Sequence, residues 1–522
     1  MHAFAHHVPA VLLRLDRNPF HHGTLGAVRS LGRKGVEVHA VVETGGGPMG
    51  RSRYLRAVHP GPSGGVDPER PEALLECLTR VAERIGRPAV LVAMDDLSAI
   101  AVSRLAPALR DRFRIPHQPD GLPARVADKA ELARLCARWE IPHPETVVPA
   151  GAAEAAEAAW RLGLPVVAKW SRPWLLPPGA GLRSTTLVHT AAEARRLYER
   201  TAEAGSPLLL QRFLPAGADT DWFFHGCFAR GGHPLLAGSG RKELSWPVRT
   251  GLTAMGRWLP DPAVEEAGLR LAERLGYHGI LDLDFRRDER GCFRLVDFNP
   301  RPGAQFRLFT DEAGLDVVQA LYLDLTGQRV PEPVGGPGRV FLAENYALLA
   351  ALRGPLVRGD GGAVTGAAGS AGSDAPGTSA GAQNAAGSAG AVPPGEATAG
   401  GGAGGAPRVA GQRVRSGGPA RPGPSRSVPS GGRGQVELAW FAADDVLPFL
   451  AMVAAFLGRG AGKGARGAWR TLSGVPARGR RTARAAARTP RQRGGPALPS
   501  PPGAPDPAGP TEPAEPDGLV TR

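Results

Sequence analysis

The chain has 522 residues, more than one hydrophobic core usually organises, which predicts several domains. Its composition changes near residue 352. Residues 353–522 are rich in Gly, Ala, Pro, Ser and Arg and carry 20 Lys and Arg against 10 Asp and Glu, whereas residues 1–352 carry 43 against 39. Most of the formal net charge of +14 therefore belongs to the tail. Charge gives no reason to expect that the folded part binds nucleic acid.

The cysteine pattern and the N-terminal sequence favour a cytoplasmic protein. Cys77, Cys136, Cys227 and Cys292 are far apart and form no CxxC pair, which disfavours a zinc site and a disulfide framework and fits a reducing cytoplasm. The N-terminus has histidines where a signal peptide carries Lys or Arg, and no long apolar region follows. The longest candidate membrane stretch, Val446–Leu457, has about twelve residues, where a span needs about twenty. We expect a cytoplasmic protein without a membrane span.

Residues 10–120 alternate strand and helix signals, which predicts an open parallel α/β domain. Gly23 and Gly26 could belong to a phosphate-binding turn, but two glycines favour an ordinary tight turn. The predicted elements are strands at Val11–Leu15, Val36–Val42 and Ala89–Asp96 and a helix over Ala27–Lys34.

A helix over Asp128–Trp139 opens the next region. Asp128 can cap it, and Glu131 three residues later completes a capping box. One apolar stripe follows at Leu132, Leu135, Cys136 and Trp139. Further elements are predicted as strands at Pro165–Trp170, Leu208–Phe213, Asp221–Phe228 and His233–Gly238 and a helix over Val264–Leu275.

The C-terminal third divides into three predicted segments. Residues 354–434 are of low complexity and should be disordered, because they lack apolar surface that would offset the entropy of ordering. Residues 435–457 predict a helical element that packs on the core. Residues 458–522 form a basic tail, with 11 basic and no acidic residues over 458–493. The tail is either solvated or binds nucleic acid or anionic lipid. The packed face of the helical element is predicted as Trp440, Phe441, Leu447, Phe449 and Leu450.

The hairpin GILDLDFRRDERGCFRLVDFNPR is the most specific signal in the chain. Alternation puts Asp282 and Asp284 on one face of the first strand, and Leu295, Asp297 and Asn299 on one face of the second. A four-residue turn over Glu289–Cys292 sets Asp288 opposite Phe293. The same register then sets Asp284 opposite Asp297 and Asp282 opposite Asn299.

Such a cluster of acids predicts a cation. Like charges directly opposed across two strands are destabilising. Oxygen ligands without His or Cys select a hard ion, and few protein ligands leave room for water and phosphate, as Mg²⁺ prefers. The alternative is a solvated hairpin face decorated with acids. The apolar flank and the following NPRPG favour the metal site.

On these motifs the sequence resembles the ATP-grasp superfamily, and most closely its carboxylate–amine ligases, the group that includes D-alanine–D-alanine ligase, biotin carboxylase and D-aspartate ligase. The resemblance implies an α/β (α+β) fold with an N-terminal open parallel domain (10–120), an ATP-grasp N-subdomain (121–207) and a C-subdomain (208–352), followed by the disordered C-terminal region. It implies ATP and Mg²⁺ as cofactors, with Mn²⁺ possible, small-molecule or peptide carboxylate and amine substrates, and a possible homodimer. Nucleic acid is not expected as a partner, except through the basic tail.

The resemblance also implies roles for the hairpin residues. Asp284, Asp297 and Asn299 match the residues that hold magnesium, and Arg301 matches the arginine that steadies the transferring phosphoryl group. The family more often has Glu at the second acidic position. The shorter Asp297 therefore predicts monodentate or water-assisted coordination.

Nucleotide contacts follow from the same resemblance. Lys129 and Lys169 match the lysines that neutralise the α- and β-phosphates. The loop Ser171–Ser184 corresponds to the flap over the phosphates but is longer and richer in Pro and Trp. The remaining contacts are implied at the hinge LQRFLPAG, with backbone groups of Gln211 and Leu214 bonding the adenine edge and Asp219 or Asp221 holding the ribose hydroxyls.

The implied reaction joins a carboxylate to an amine through an acyl phosphate. Arg241 and Lys242 correspond to cations that bind phosphate or the substrate carboxylate, with an exposed surface pair as the alternative. His21, His22 and Asp96 are candidates for the base that serves the amine. Rival functions are an ATP-grasp kinase, a thiol ligase and a non-catalytic ATP-binding scaffold.

Overall fold

The computed structural model describes residues 4–472, except Thr44, 63–65, 68–69, Pro178, Ala218, 247–251 and 358–434. The predicted segment 354–434 therefore lies almost entirely outside the described residues, as does the tail beyond Leu472. Residues 1–459 form one compact unit, and a second begins at Gly460. None of the helices in the described part of the chain combines the length and apolarity that crossing a membrane requires.

The N-terminal domain contains a parallel sheet, which within the described residues has five strands in the order β3-β2-β1-β4-β5. β1 and β2 are buried throughout because both faces of the sheet are covered, as their continuous apolar sequences indicate. This is the open parallel α/β domain predicted. Its elements are β1 Ala10–Arg14, α1 His22–Gly32, β2 Val38–Val42, β3 Leu55–Pro60, α2 Glu72–Ile85, β4 Ala89–Ala93, α3 Asp96–Leu109 and β5 Phe113–Arg114.

Capping residues shift two predicted boundaries in this domain. α1 begins five residues earlier than predicted, because a ring nitrogen of His21 accepts a hydrogen bond from the Thr24 N–H and caps the helix. Asp95 is no strand residue, since it caps α3 by accepting from the Ser98 N–H at 2.9 Å. Asp96 consequently stands at the first position of α3, beside the carboxyl end of β4.

The next region forms an antiparallel sheet with the strand order β6-β9-β7-β8 among the described residues. β9 lies inside this sheet, so the predicted boundary at 207/208 separates it from its partners. The long-range pairing of β9 with β6 and β7 is the reason. The elements are α4 Leu122–Ala127, α5 Lys129–Arg138, β6 Thr146–Val147, α6 Ala152–Leu162, β7 Val166–Trp170, β8 Thr185–Val188, α7 Ala191–Tyr198, α8 Thr201–Ala204 and β9 Leu208–Arg212.

The cap of α5 forms only in part as predicted. Asp128 Oδ1 accepts from the N–H groups of Ala130 and Glu131 at 3.0 and 3.1 Å. A capping box also needs a hydrogen bond from the Asp128 N–H to the Glu131 side chain. Here the Asp128 N–H instead donates to the carbonyl of Ala124, and the Glu131 side chain pairs with Arg134. The apolar stripe packs as predicted, with Leu132, Leu135 and Cys136 buried and Trp139 beside them.

The C-terminal part builds the largest sheet, in the order β14-β13-β10-β11-β12-β15-β16 over the described ranges. All of its pairs are antiparallel except β15 with β16. One apolar cluster joins a face of this sheet to α4, α5 and α9, and another joins the opposite face to the N-terminal domain. The elements are β10 Asp221–Ala229, β11 His233–Trp246, β12 Leu252–Trp258, α9 Pro262–Leu275, β13 Gly279–Arg287, β14 Phe293–Asn299, α10 Val317–Leu325, β15 Val340–Leu342, α11 Glu344–Val357, β16 Val436–Leu438 and α12 Leu447–Leu472.

The segment 435–457 packs on the core, but not as the helical element predicted. It begins with strand β16, and α12 continues past the predicted boundary at 457. Trp440 and Met452 are buried. The predicted packed face is wrong at Phe441, Leu447 and Leu450, which are 41%, 62% and 53% exposed. The inward side of α12 instead carries Phe449, Met452, Val453 and Phe456.

A buried ion pair ties this segment to the N-terminal domain. Asp445 accepts from Arg29 Nε at 3.0 Å, from the Ser52 hydroxyl at 2.7 Å and from the Arg53 N–H at 2.9 Å. Arg29 also donates to the carbonyl oxygens of Trp440 and Asp445. Both charged side chains are almost fully buried. Since the pair is satisfied by these additional hydrogen bonds, loss of either partner leaves a charge without compensation.

We therefore expect Asp445→Asn to lower the free energy of unfolding by about 3–5 kcal/mol, the cost of breaking a buried pair. The matched control is Asp444→Asn. Asp444 also binds an arginine, Arg33, but its side chain is 43% exposed, so its replacement should cost about 0–1 kcal/mol. Urea unfolding of both variants measures the difference. Equal stabilities would show that the buried pair does not hold the segment in place.

Candidate active site

The hairpin of β13 and β14 has the predicted register at its acidic end. Asp284 pairs with Asp297 and Asp282 pairs with Asn299. Toward the turn the register shifts by one residue, with Arg287 instead of Asp288 opposite Phe293. The shift falls between Asp284 and Phe285 and leaves Val296 as an extra residue in β14.

This β-bulge changes which residues share a face. Leu295 pairs with Phe285, and both lie in the apolar cluster with Leu283. Leu295 therefore does not share a face with Asp297 and Asn299, contrary to the prediction. Because the extra residue reverses the alternation, β14 can present a buried leucine on one side and a carboxylate on the other within three residues.

Three lysines from three different elements surround the acidic pair. Lys129, at the start of α5, binds Asp297 Oδ1. Lys242, on β11, lies 3.5 Å from Asp284 Oδ1. Lys169, on β7, donates to the carbonyl of Val296 at 2.9 Å. The four-stranded sheet, α5 and the large sheet thus converge on the hairpin.

The electrostatic setting differs among these lysines. Burial alone would lower the pKa of Lys129 and of Lys242, but Asp297 and Asp284 respectively outweigh it, so both values are raised. Burial lowers the pKa of Lys169 to about 8, with only partial compensation from Asp297. Burial raises the pKa of Asp284; the charge of Lys242 opposes this rise, and those of Asp282 and Asp297 reinforce it. Lys169 is therefore the member of this group that can lose its charge near neutral pH.

Arg301 connects the hairpin with the N-terminal domain. Its Nε lies 3.2 Å from Asp96 Oδ1 and its NH1 lies 3.2 Å from Asp282 Oδ2. Its NH2 donates to Asn299 Oδ1 at 3.0 Å. Burial would lower the pKa of Arg301, but Asp96 and Asp282 together raise it. The guanidinium is a permanent positive charge held by carboxylates from two domains.

His225 is a site residue that the sequence reasoning missed. It is fully buried on β10, and its Nε2 lies 2.5 Å from Asp282 Oδ1. Burial raises the pKa of Asp282, but His225 and Arg301 outweigh it, so the net shift is downward. A Cβ at Gly303, within NPRPG, would overlap the His225 ring and come within 2.7 Å of Asp282 Oδ2, which requires glycine there. In the sequence, His225 stands out only as a lone histidine among phenylalanines. Its role becomes visible when the pairing of β10 with β13 places it opposite Asp282.

His22 is not a candidate base, contrary to the prediction. It is buried among the rings of Phe341, Tyr346 and Trp440, and neither ring nitrogen has a hydrogen-bond partner among the described residues. Burial lowers its pKa to about 4. The side chain is a neutral part of the core.

His21 lies nearer to the site but is also unsuited to the role. Its Nδ1 accepts from the Thr24 N–H at 3.2 Å, which places the ring proton on the other nitrogen. Burial, followed by Arg14 and His22, lowers its pKa well below the usual value. Of the three candidate bases Asp96 remains, and burial raises its pKa against the effect of Arg301.

Arg241 lies on the face of the sheet opposite the acidic pair, which disfavours its predicted contact with phosphate or the substrate carboxylate. It pairs across the sheet with Trp222, which is itself opposite Phe285, so it lies on the face away from Asp284. Its guanidinium binds Asp219 Oδ1 at 2.7 Å and Glu243 Oε1 at 3.1 Å. The adjacent Lys242 points to the opposite face because successive strand residues alternate.

The hinge residues are brought together by Arg286. This side chain binds Asp221 Oδ1 at 2.7 Å and donates to the carbonyl of Leu214 at 3.2 Å. Gln211 is paired on both sides, with Thr146 and with Val167, so its backbone lies inside the sheet. The expected backbone contact therefore fits residues 213–217, which have no regular structure, better than Gln211.

The loop 171–184 joins the antiparallel strands β7 and β8. Its base is fixed, because the Ser171 hydroxyl and Arg172 Nε both donate to the carboxylate of Asp128. The cap of α5, which carries Lys129, and the base of the predicted flap thus share one carboxylate. The flap itself remains a prediction.

Asp284, Asp297 and Asn299 suit a hard cation by their chemistry. They offer two facing carboxylates and an amide oxygen, the donors that Mg²⁺ prefers. In the described residues, however, no group of three His, Cys, Asp or Glu side chains could hold a metal ion unaided. Water or ligand oxygens would have to complete the coordination, as is usual for Mg²⁺ at phosphate sites.

No protein-family model matches the sequence, and no curated protein is significantly similar to it. Solved structures that align with this chain include the biotin carboxylase domain of 2-oxoglutarate carboxylase from Hydrogenobacter thermophilus, with 16% identity over 65% of this chain and 73% of that chain and a TM-score of 0.48. Biotin carboxylase from Campylobacter jejuni has 15% identity, coverage of 62% and 72% and a TM-score of 0.47. N5-carboxyaminoimidazole ribonucleotide synthetase from Thermus thermophilus has 17% identity, coverage of 63% and 81% and a TM-score of 0.45. These likenesses assign neither activity nor residue roles to this chain.

Proposed function

We propose that this protein is an ATP- and Mg²⁺-dependent ligase that joins a carboxylate to an amine through an acyl phosphate. The observation that carries the proposal is the facing, half-buried pair Asp284 and Asp297, which is surrounded by Lys129, Lys169, Lys242 and Arg301. Carboxylates forced together beside several cations suit the binding of a metal–polyphosphate complex, which brings both kinds of charge.

Asp284, Asp297 and Asn299 would hold Mg²⁺, which when bound shields the negative charge of the phosphates from the attacking carboxylate. Lys129 and Lys169 would neutralise the phosphates from one side and Lys242 from the other. In this assignment Lys129 exchanges Asp297 for phosphate when the nucleotide and the metal arrive together. Asp221, the carbonyl of Leu214 and residues 213–217 would receive the nucleoside.

The chemistry then has two steps. A substrate carboxylate oxygen attacks the γ-phosphorus, the bond to the β–γ bridging oxygen breaks, and ADP leaves. The amine nitrogen attacks the carbonyl carbon of the acyl phosphate and inorganic phosphate leaves. Arg301 would stabilise charge on the transferring group, and no nucleophilic side chain is needed, because positioning and electrostatics supply most of the catalysis of phosphoryl transfer.

Asp96 would accept the proton that the amine loses. Its half-buried carboxylate has a raised pKa and lies 3.2 Å from Arg301, the residue proposed to stabilise the transferring group. Screening ADP release against carboxylate–amine pairs, with mass spectrometry of the product, tests the function. A phosphorylated product or a thioester would instead support the kinase or the thiol ligase.

The metal assignment predicts that Asp297→Asn and Asn299→Ala each lower Mg²⁺-dependent ATP turnover by about 10²–10³-fold, the usual cost of one preorganised charge-stabilising group. The control is Glu289→Gln, which removes an exposed acid from the same hairpin and should change turnover less than twofold. Melting temperatures verify that the variants fold. Near-normal turnover of Asp297→Asn at low magnesium would contradict the assignment.

The lowered pKa of Lys169 predicts a pH dependence of nucleotide binding. Phosphate binds the protonated amine, so affinity for MgADP should be constant below pH 7.5 and fall about tenfold per pH unit above the free-protein pKa of about 8. Lys169→Arg, which keeps its charge, should remove this fall. Isothermal titration calorimetry from pH 6.5 to 9.5 measures both proteins. A fall of equal size in the arginine variant would show that another group titrates.

The order of the two steps predicts different losses for Arg301 and Asp96. Hydroxylamine traps the acyl phosphate as a hydroxamate and so reports the first step. Arg301→Ala should lose about 10²–10³-fold in hydroxamate and in amide. Asp96→Asn should retain hydroxamate within tenfold, because Asp282 and Asn299 still hold Arg301, but lose about 10²–10⁴-fold in amide. Normal hydroxamate from Arg301→Ala, or equal losses of both products from Asp96→Asn, would refute these roles.

A further inference from the structure

A cavity of about 480 Å³ lies between the N-terminal domain and the large sheet. Its walls come from α3, from residues 115–121, from the start of β13 and from residues 300–302, directly after β14. A cavity of this volume is in the range that holds small organic molecules. The nucleotide residues of the proposed function are elsewhere, since Lys129, Lys169 and Asp221 do not line it.

The walls of the cavity are mainly apolar. Ala99, Val102 and Ala106 line it from one face of α3, at helical spacings of three and four residues. Ile280 and Pro116 lie among the residues of the other walls. Small side chains along α3 keep the space open, and the wall also depends on Gly279. That residue has a φ of +114°, and a Cβ there would come within 3.1 Å of the Pro116 ring.

The charged groups at the cavity are predominantly positive. Among the described residues that line it, Arg104, Arg110 and Arg301 are cationic and Asp120 is the acidic one; Arg301 is also paired with Asp96 and Asp282, which do not line the cavity. Arg110 NH2 donates to the His117 ring at 3.1 Å, a contact that brings it no negative charge when the ring is neutral. Apolar walls with this excess of guanidinium groups favour an anion that carries an apolar group, and disfavour an amine.

Arg301 joins the cavity to the acidic hairpin. It lines the cavity and at the same time donates to Asn299 and binds Asp282. An anion that binds Arg301 from the cavity would therefore lie beside the residues proposed to hold Mg²⁺. In the proposed reaction, the carboxylate that attacks the γ-phosphate would stand at this position.

We infer that this cavity binds the carboxylate substrate and selects an organic acid with an apolar group, its carboxylate directed to Arg301 and its apolar part along α3. The role of the acid as a substrate rests on the proposed function. Binding of the acid does not, because it can be measured without turnover.

The test uses full-length protein and a panel of n-alkyl carboxylates of six to twelve carbons and ω-phenyl carboxylates of eight to twelve carbons, with the alcohol and amine of each skeleton as neutral and cationic controls. By calorimetry, at least one acid should bind with an affinity at least ten times that of the corresponding alcohol and of the corresponding amine. Ser103→Trp places a large ring at a half-buried position of the cavity wall and should weaken that acid at least tenfold. Ala108→Trp puts the same ring on an exposed position of α3 and should change affinity less than twofold.

The outcomes separate this inference from the proposed function. If no acid binds, if the alcohol binds as well as the acid, or if Ser103→Trp binds like wild type with an unchanged melting temperature, the inference is overturned. Should Ser103→Trp not fold, Val102→Phe replaces it in the same comparison. MgADP titrations of wild type run in parallel: acid binding without MgADP binding would support the cavity assignment and refute the ligase, and the reverse would refute the cavity alone.

Discussion

Two carboxylates held face to face are the constraint on which the rest of this structure depends. Asp284 and Asp297 occupy paired positions on neighbouring strands, where like charges repel. No residue of the hairpin itself neutralises them. The compensating charges arrive on Lys129 from the start of α5 and on Lys242 from β11. The acidic pair is therefore tolerated only when the sheet is complete and α5 is docked, so the same interaction both demands the fold and prepares a place for a charged ligand.

A bulge makes this arrangement compatible with a packed core. Without the extra Val296, a side chain two residues before Asp297 would point to the polar side. With it, Leu295 joins the apolar cluster under α9 while Asp297 faces Asp284. The carbonyl of the bulged residue is in turn the acceptor for Lys169. The inserted residue thus orients Asp297 toward Asp284, lets Leu295 pack in the core, and binds Lys169, which forms no ion pair with a carboxylate among the described residues.

The sequence predicted what depends on neighbours along the chain. The pairing of Asp284 with Asp297 was predicted from strand alternation and a short turn, although the structure reaches it through a register shifted by one residue at the turn and the compensating bulge at Val296. Asp128 is recognisable as a cap from the residues just after it. Contacts between distant segments were beyond that reasoning. His225 acquires its role only through the pairing of β10 with β13, and Arg241 falls on the wrong face because of its pairing with Trp222. His22 looked like a base, but three aromatic rings from far along the chain bury it. Leu447 and Leu450 looked like core, yet α12 turns other residues inward.

The last strand of the large sheet has a consequence for how the molecule is made. β16 pairs with β15, and Asp445 reaches Arg29, which stands more than 400 residues earlier. During synthesis, Arg29 and the pocket for Trp440 therefore emerge from the ribosome long before their partners exist, and residues 358–434 must be translated in between. The nascent chain carries an unfinished sheet edge and an uncompensated guanidinium throughout that interval. Exposed sheet edges of this kind favour association with other chains. The sheet edge and the Arg29 ion pair are completed only after β16 and Asp445 have been synthesised.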